Sequence, residues 1–478
     1  MQNLYSYLQY WAKLRPQSIA IQSTTGALSY RRLLELSTLI AIRLKSAGVV
    51  PGSLVMTCTP SKEIDWIITL AIFSLGGVSC SNHGFRAIPE NLGVDFVVSE
   101  KVLDSFPLEK TLIIDKNWFS GAIPEGAELS VHAYAPSEFC RLTLTSGTTG
   151  IAKAVPLTFQ QIEGRSMSWI TMWSAYGAQF NLFAISSTPG FYSVSGALIS
   201  GGVVFQAYTP DEVLKLLGDY KIGLLYGSPS QVAGLLRVAQ YKPIKLSFLR
   251  LLLVGGGVIS AKLLDLLQKN ICANVANYYG ATEVGGMCTG GLQQADLEQG
   301  VMGFTHPSTQ IQVVNDRGNP IPSGEIGAIR VKTAFMVKSY YKASKKDNES
   351  FKSGWFYPGD LGKILPDGRL AIAGRQSEII NIGGVKVNPL EVDREMQNYP
   401  GVNDGVVFSV EDSSGIEVLC AVIVADEDFD FQGLGAYLVE RVGAARSPVR
   451  FFPVKEVLRN QMGKALRRDI AKNFSGAI

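Results

Sequence analysis

Histidine is scarce in this chain. Only His83, His132 and His306 occur among 478 residues, and none stands in the strand-to-turn setting that presents a serine or cysteine nucleophile to a base. Chemistry built on a histidine base is therefore disfavoured, and each histidine reads as surface or structural. The six cysteines (Cys58, Cys80, Cys140, Cys272, Cys288 and Cys420) lie far apart without a CxxC spacing. That argues against zinc and against a disulfide framework, and it fits a reducing compartment. Net charge is also missing: Lys+Arg 44 against Asp+Glu 41 leaves +3. No basic run interleaves with aromatic residues, so there is no electrostatic footprint for nucleic acid. Long apolar runs are absent too. WIITLAIFSLGGVSC is interrupted by Gly76 and Gly77 and falls short of a membrane span, which makes it a buried helix. The first residues, MQNLYSYLQYWAKLRP, lack a basic-then-apolar signal pattern and have the spacing of an amphipathic helix. The expectation is a cytoplasmic monomer or homodimer with neither membrane nor nucleic acid as a partner.

What is present describes a globular protein with many tight turns: a 46% hydrophobic fraction and 49 glycines. The length exceeds what one core organises, so more than one domain is expected. Short β-rich runs such as SLVMTC and DFVVSE alternate with helical patterns such as EIDWIITLAIFSLGG through the first three hundred or so residues. This alternation predicts an α/β fold of parallel-type sheets covered by helices. From about Gly303 the texture changes to short strands (IQVVN, AIRVKT, RLAIAG) punctuated by DRGNP, SGE and PDG, the pattern of hairpins in a β-rich subdomain over about 303–376. The tail from 377 to 478 mixes helices and strands on the scale of a separate small α+β module. The expected division is 1–376 and 377–478.

The stretch TLTSGTTGIAKAVP (143–156) crowds hydroxyls, glycines and a lysine behind an apolar-alternating run. Unhindered backbone N–H groups of such a loop converge on anions, phosphates above all. The Walker form fails on residue order, because Lys153 is followed by Ala154. A GxGxxG dinucleotide turn is absent as well. Taken alone, the cluster is equally compatible with a plain surface turn.

Other segments decide between these readings. TSGTTGIAKAVPLTF, NYYGATEVGG, GWFYPGDLG, GRQSEIINIGGVKVNPLEVD and RNQMGKALRRDI, together with the opening YWAKLRPQSIAIQ and LSYRRLLELS, occur in the order of the corresponding segments of the acyl-adenylate-forming superfamily. The chain resembles that superfamily over nearly its whole length, and most closely its free-standing acyl-CoA synthetases. The resemblance implies a large N-terminal domain, a small mobile C-terminal domain pivoting about a hinge at Ser377, and a two-step reaction. A carboxylate attacks the α-phosphate of ATP and pyrophosphate leaves; a thiol or amine then attacks the acyl-adenylate and AMP leaves. ATP, Mg2+ and CoA are the implied cofactor and co-substrates.

The same resemblance distributes roles. Thr145, Ser146, Gly147, Thr148, Thr149 and Gly150 would cradle the β- and γ-phosphates, with Lys153 adding mobile charge; without its neighbours Lys153 would read as a solvated lysine. Glu283 would hold Mg2+, whose preference for hard oxygens suits one carboxylate plus phosphates. Thr282 would bond the α-phosphate. A helix cap is the alternative for Glu283. Gly255, Gly256, Tyr278, Tyr279 and Gly280 would face the adenine. Asp360 would accept both ribose hydroxyls, or else be a turn aspartate. Arg375 would meet the ribose or a phosphate from the hinge side. Lys464 would be the adenylation lysine, its alternative being one more charge on a solvated helix. Gly383 and Gly384 would line a CoA tunnel. Ser377 departs from the Asp or Lys usual at the hinge, and Asn381 replaces a lysine that some relatives carry.

For the acyl pocket the expected residues are Tyr192, Ser193, Gly196, Gly256, Tyr279 and Gly285. STPGFYSVSG resembles the segment PLFHxxG, with Tyr192 read as replacing the histidine, either as an altered gate or as an aromatic swap. No acidic residue stands in that segment to bind an α-amine, which points to a neutral aromatic or aliphatic acid. The acceptor order is CoA, then a carrier-protein thiol, then an amine. A non-catalytic adenylate-binding protein and a phosphate-loop NTPase are the alternatives of a different class. An ammonium over the attacked phosphorus neutralises charge that grows in the transition state. Lys464→Ala is therefore expected to slow adenylation on the order of 10²–10³-fold with ATP binding largely intact, and unchanged pyrophosphate exchange in that variant would defeat the assignment.

Overall fold

The computed structural model describes residues 3–83, 90–103, 106–123, 129–145, 152–241, 246–382, 384–412, 415–459 and 465–474. Its first sheet contains, in chain order, β1 (Leu54–Cys58), β2 (Val78–Ser81), β3 (Phe96–Ser99), β4 (Thr111–Ile113), β5 (Phe139–Thr145) and β6 (Lys153–Thr158), laid out β4-β3-β1-β2-β5-β6. Neighbours are parallel except β5 and β6, which form an antiparallel pair. Every residue of β1 is buried, as expected for a strand whose sheet is covered on both faces. The crossover from β1 to β2 is helix α1 (Lys62–Leu75). Ser61 caps it by accepting from the Ile64 N–H, and Gly76, at φ 77°, ends it in the left-handed region. All of α1 from Asp65 to Leu75 is buried, so its apolar run is a core helix. Among the described residues no helix is long and apolar enough to cross a membrane.

Two helices follow β6: α2 (Phe159–Trp173), started by a Thr158–Gln161 capping box, and α3 (Thr188–Ser200), capped by Ser187. They pack against the start of a twelve-stranded sheet. Its parallel part, in chain order, is β7 (Ala178–Asn181) at the edge, then β8 (Ile222–Gly227), β9 (Leu251–Gly255) and β10 (Val275–Ala281). At β11 (Gly285–Gly291) the direction reverses, and β12 (Val301–Thr305) reverses again. Farther on come β13 (Gly327–Thr333), β14 (Asp360–Ile364) and β15 (Leu370–Arg375), with β12 paired to β15 and β13 to β14. The hairpin region expected from Gly303 onward is there, but it is no separate sheet. It continues the parallel one edge to edge through β11 and β12. Glycine makes that junction close. A Cβ at Gly290 would lie 2.7 Å from the Gly303 Cα, and one at Gly303, whose φ is +100°, would lie 2.3 Å from the Thr289 backbone.

The remaining chain has its own three-stranded sheet, Val402–Glu411, Glu417–Ala425 and Arg450–Pro453. Its core of Val387, Val392, Met396, Val407, Leu419 and Leu434 is distinct from those of the larger part. Helix α4 (Pro389–Asn398) rests on β15: Asn388 donates to the Ala373 carbonyl and Arg394 to that of Ile372. The α/β class, with parallel-type sheets, a β-rich region and a small α+β tail, is the architecture found. Because alanine disfavours the φ of Gly303 and collides with the neighbouring strand, Gly303→Ala is expected to cost more than about 1 kcal/mol of stability, measurable as a lowered melting temperature.

Candidate active site

Ligands of open α/β sheets bind beyond the carboxyl ends of the parallel strands. Here those ends carry Gly255, paired with Tyr278 across β9 and β10. Gly255 has no room for a side chain, since a Cβ would sit 2.8 Å from both the Tyr226 hydroxyl and the Tyr278 carbonyl. Gly256, Tyr278, Tyr279 and Gly280 line a cavity of about 230 Å3, and Asp360 and Arg375 face it from the hairpin side. Asp360 and Arg375 are cross-strand partners on β14 and β15. The Asp360 carboxylate, 5% exposed, lies 2.9 Å from the Arg375 Nε and accepts from the Tyr279 hydroxyl. Burial pulls the Arg375 guanidinium down, but the charges of Asp360 and Glu378 outweigh it and hold it above its ordinary value. Burial first, and the Asp360 charge second, push the Tyr279 phenol well up, so it stays a donor.

The tail closes the other side of this cavity with Arg459, Ala465 and Arg467. Arg459 and Ala465 form an antiparallel bridge. Lys464 lies outside the described residues, next to that stem. Arg467 is bonded to Asp393 and to the Val407 carbonyl, and stands 3.8 Å from Glu378, the neighbour of Ser377. Ser377 is exposed in the short turn Gln376–Glu378. Gly384, at φ +91°, is exposed with open space around it, and Gly383 lies outside the described residues.

A second cluster gathers the expected phosphate and metal residues. Thr145 and Lys153 are cross-strand partners at the mouth of β5 and β6, and the Thr145 hydroxyl donates to the Lys153 carbonyl at 3.2 Å. Ser146, Gly147, Thr148, Thr149 and Gly150, between them, lie outside the described residues. The Lys153 ammonium pairs with Asp347 at 3.2 Å and sits 4.8 Å from the centre of the Tyr340 ring. The Tyr340 hydroxyl in turn donates to Glu283 Oε1 at 2.6 Å. Burial and then the Glu283 charge hold that phenol well above its ordinary value. The Thr282 hydroxyl meets that of Thr188 at 2.9 Å. Among the described residues no group of three or more His, Cys, Asp or Glu gathers. A cation at Glu283 would thus take its remaining oxygens from phosphate and water, as Mg2+ does.

Tyr340 was not legible as a partner of Glu283, being far off in sequence without a motif. Arg165 was missed as well, though α2 carries a signal for it. The buried face of α2 is Phe159, Ile162, Arg165, Ser166, Trp169 and Trp173, a helical stripe with an arginine inside it. Arg165 is 6% exposed and donates to the carbonyls of Thr282, Glu283 and Phe335 and to the Tyr192 hydroxyl. It holds the turn that carries Glu283.

The expected acyl-pocket residues do not share one cavity. Ser193 and Gly196 line a cavity of about 150 Å3 beside β7, Tyr192 and Gly285 a small one of about 40 Å3 under Arg165, and Gly256 and Tyr279 the cavity that Asp360 faces. Consecutive helical residues point about 100° apart, which separates Tyr192 from Ser193 on α3. Trp169, Trp173, Phe183, Tyr226 and Tyr278 pack together in the same region. Counted back from Gly196, the histidine of PLFHxxG falls on Ser193, so Ser193 is the departure there and Tyr192 stands one place earlier. His306, in the small cavity, is pushed down to about 4 by burial against a raising bond to the Gly286 backbone; it is neutral and structural.

Comparison with known proteins meets this geometry. The family described as AMP-binding enzyme matches residues 8–341, and the chain belongs to that family, within the acyl-adenylate-forming class. It is 26% identical over 489 aligned residues to a feruloyl-CoA synthase of Amycolatopsis sp, covering 97% of each chain. It is 24% identical to the fatty acid–[acyl-carrier-protein] ligase ScoC of Streptomyces coeruleorubidus, covering 100% of this chain and 97% of that one. Its fold superposes on ATP-bound MatB from Rhodopseudomonas palustris with a TM-score of 0.84, at 22% identity over 99% of both chains.

Arg165→Met would leave the carbonyls of Thr282, Glu283 and Phe335 without their charged donor. A loss of about 3 kcal/mol or more is expected in denaturant unfolding, and a loss within a few tenths would show that these bonds contribute little.

Proposed function

We propose that the chain joins a carboxylic acid to the α-phosphate of ATP, releasing pyrophosphate, and then transfers the acyl group to the thiol of CoA. One observation carries this reading. Asp360, Arg375 and the strand-end residues Gly256 and Tyr279 face a single cavity, and the stem flanking Lys464 closes it. Asp360 then receives the ribose hydroxyls, with Tyr279 and Arg375 fixing its carboxylate. Lys464, at that stem, neutralises the charge that grows as carboxylate meets phosphate. Lys153 and the loop from Thr145 to Gly150 hold the departing pyrophosphate, and Thr282 bonds the α-phosphate. Glu283 supplies the protein ligand for Mg2+, which would draw charge from the phosphate oxygens. An ionised carboxylate is already a nucleophile, so no general base is required, in keeping with the buried, neutral His306.

The second half-reaction needs Lys464 withdrawn and an acceptor admitted, which a turn about Ser377 between the two parts of the chain accomplishes. The acid is a neutral aromatic or aliphatic one: among the described residues neither Ser193 nor Gly196 shares its cavity with an aspartate or glutamate that would hold an α-amine. CoA is favoured as acceptor by the likeness to the feruloyl-CoA synthase. A carrier-protein thiol is the second reading, favoured by the likeness to ScoC, with an amine third. A panel of carboxylic acids assayed for AMP release with CoA, a carrier protein and amines tests the proposal. CoA-stimulated turnover is expected; turnover raised by amines and never by CoA overturns the acceptor, and no pyrophosphate exchange with any acid overturns the reaction.

A further inference from the structure

The cavity of about 150 Å3 lies between α2, α3, the edge strand β7 and the segment Val203–Gln206. That is the volume of a protein cavity able to hold benzene. Its walls are largely apolar, with Trp169, Phe183, Ile185 and Phe205 among them, and among the described residues no aspartate or glutamate lines it. One cation does: Lys62, the first residue of α1. Its ammonium donates to the Leu182 carbonyl at 3.2 Å, which uses one of three N–H donors. Burial pushes Lys62 down to about 8, so it enters the cavity as a cation at neutral pH with no carboxylate on the wall to match it. Gln206 lines the same cavity. It is 2% exposed, and its side-chain Nε2 has no hydrogen-bond partner. A buried amide without an acceptor is a standing cost to a fold, and an acceptor brought by a ligand removes it.

From this geometry we infer that the cavity binds a small carboxylate on an apolar body, its two oxygens taken by Lys62 Nζ and Gln206 Nε2. One cation and one amide match the charge and the two oxygens of a carboxylate. A phosphate group would face too few donors for its oxygens and would gain nothing from the aromatic walls. The body that fits is a single ring or a short branched chain. Such a carboxylate belongs to a separate small acid or, replacing the neutral acid proposed above, to the far end of the acid being activated. The inference does not rest on the proposed reaction, since it concerns equilibrium binding.

Calorimetric titration of the full-length protein with benzoate, against benzamide as the neutral probe of the same size, tests it. Benzoate is expected to bind at least about tenfold more tightly than benzamide, as a charge-assisted pair implies. Lys62→Met should remove that preference and Lys62→Arg should keep it. Gln206→Leu, which replaces the unpartnered amide with an apolar group and is expected to fold at least as well, should weaken benzoate several-fold. Equal affinity for the two probes, or benzoate bound by Lys62→Met and Gln206→Leu as by the unaltered protein, overturns the inference. Pyrophosphate exchange separates the sources. A KM raised by Lys62→Met only for acids with a second carboxylate assigns the cavity to the far end of the substrate. Lost benzoate binding with no change in KM for any acid assigns it to a separate ligand. Exchange with any acid sustains the proposed reaction whatever benzoate does.

Discussion

A single buried guanidinium ties the site together. Arg165 emerges from the apolar face of α2 and places its donors on the carbonyls of Thr282, Glu283 and Phe335 and on the Tyr192 hydroxyl. A buried charge is tolerable only when its donors are answered. The demand therefore works in both directions: the arginine needs the turn at the end of β10, and the turn cannot relax without orphaning the arginine. That turn is where the twelve-stranded sheet changes from parallel to antiparallel. The same contact thus joins α2, α3, the parallel strands and the hairpin region.

Around this clamp the two candidate carboxylates are built alike. Glu283 receives the hydroxyl of Tyr340, and Asp360 that of Tyr279. A phenol held above its ordinary pKa by burial donates without adding charge, so each carboxylate is oriented by a neutral partner. Each has a cation at one remove or none, Lys153 over the Tyr340 ring and Arg375 directly on Asp360. The difference suits the tasks proposed for them. An acceptor for neutral ribose hydroxyls tolerates a fixed counter-charge, whereas a ligand for Mg2+ is better left without one.

Small residues decide where ligand-sized space exists. Gly255 and Gly280 leave only backbone at the strand ends beside the cavity that Asp360 faces, and at both a side chain would meet neighbours within 3 Å. On α3, Gly196 leaves ordinary clearance to Trp169 and Ile170 and opens the separate cavity that Lys62 and Gln206 enter. The aromatic cluster of Trp169, Trp173, Tyr226 and Tyr278 lies in the same region, so the space there is divided by large rings that share one face of the sheet.

Much of this was readable from the residues. The alternation of strands and helices, the texture change near Gly303 and the segments around Thr145, Glu283, Asp360 and Lys464 have local patterns, because caps, turns and loop chemistry act over a few residues. Asp360 and Arg375 could be expected to meet because a short hairpin makes them cross-strand partners. Tyr340 against Glu283 had no such signal, and Tyr192 and Ser193 line different cavities because neighbours on a helix face different ways. By itself, then, the sequence determined the class of fold, the family and the chemical kinds of group at the site, all matters of local periodicity and composition. Only the tertiary structure decided how buried charges are answered: Arg165 by carbonyls, Glu283 by Tyr340, and Lys62 by the Leu182 carbonyl. Such pairings join residues whose distance along the chain bears no relation to their distance in space.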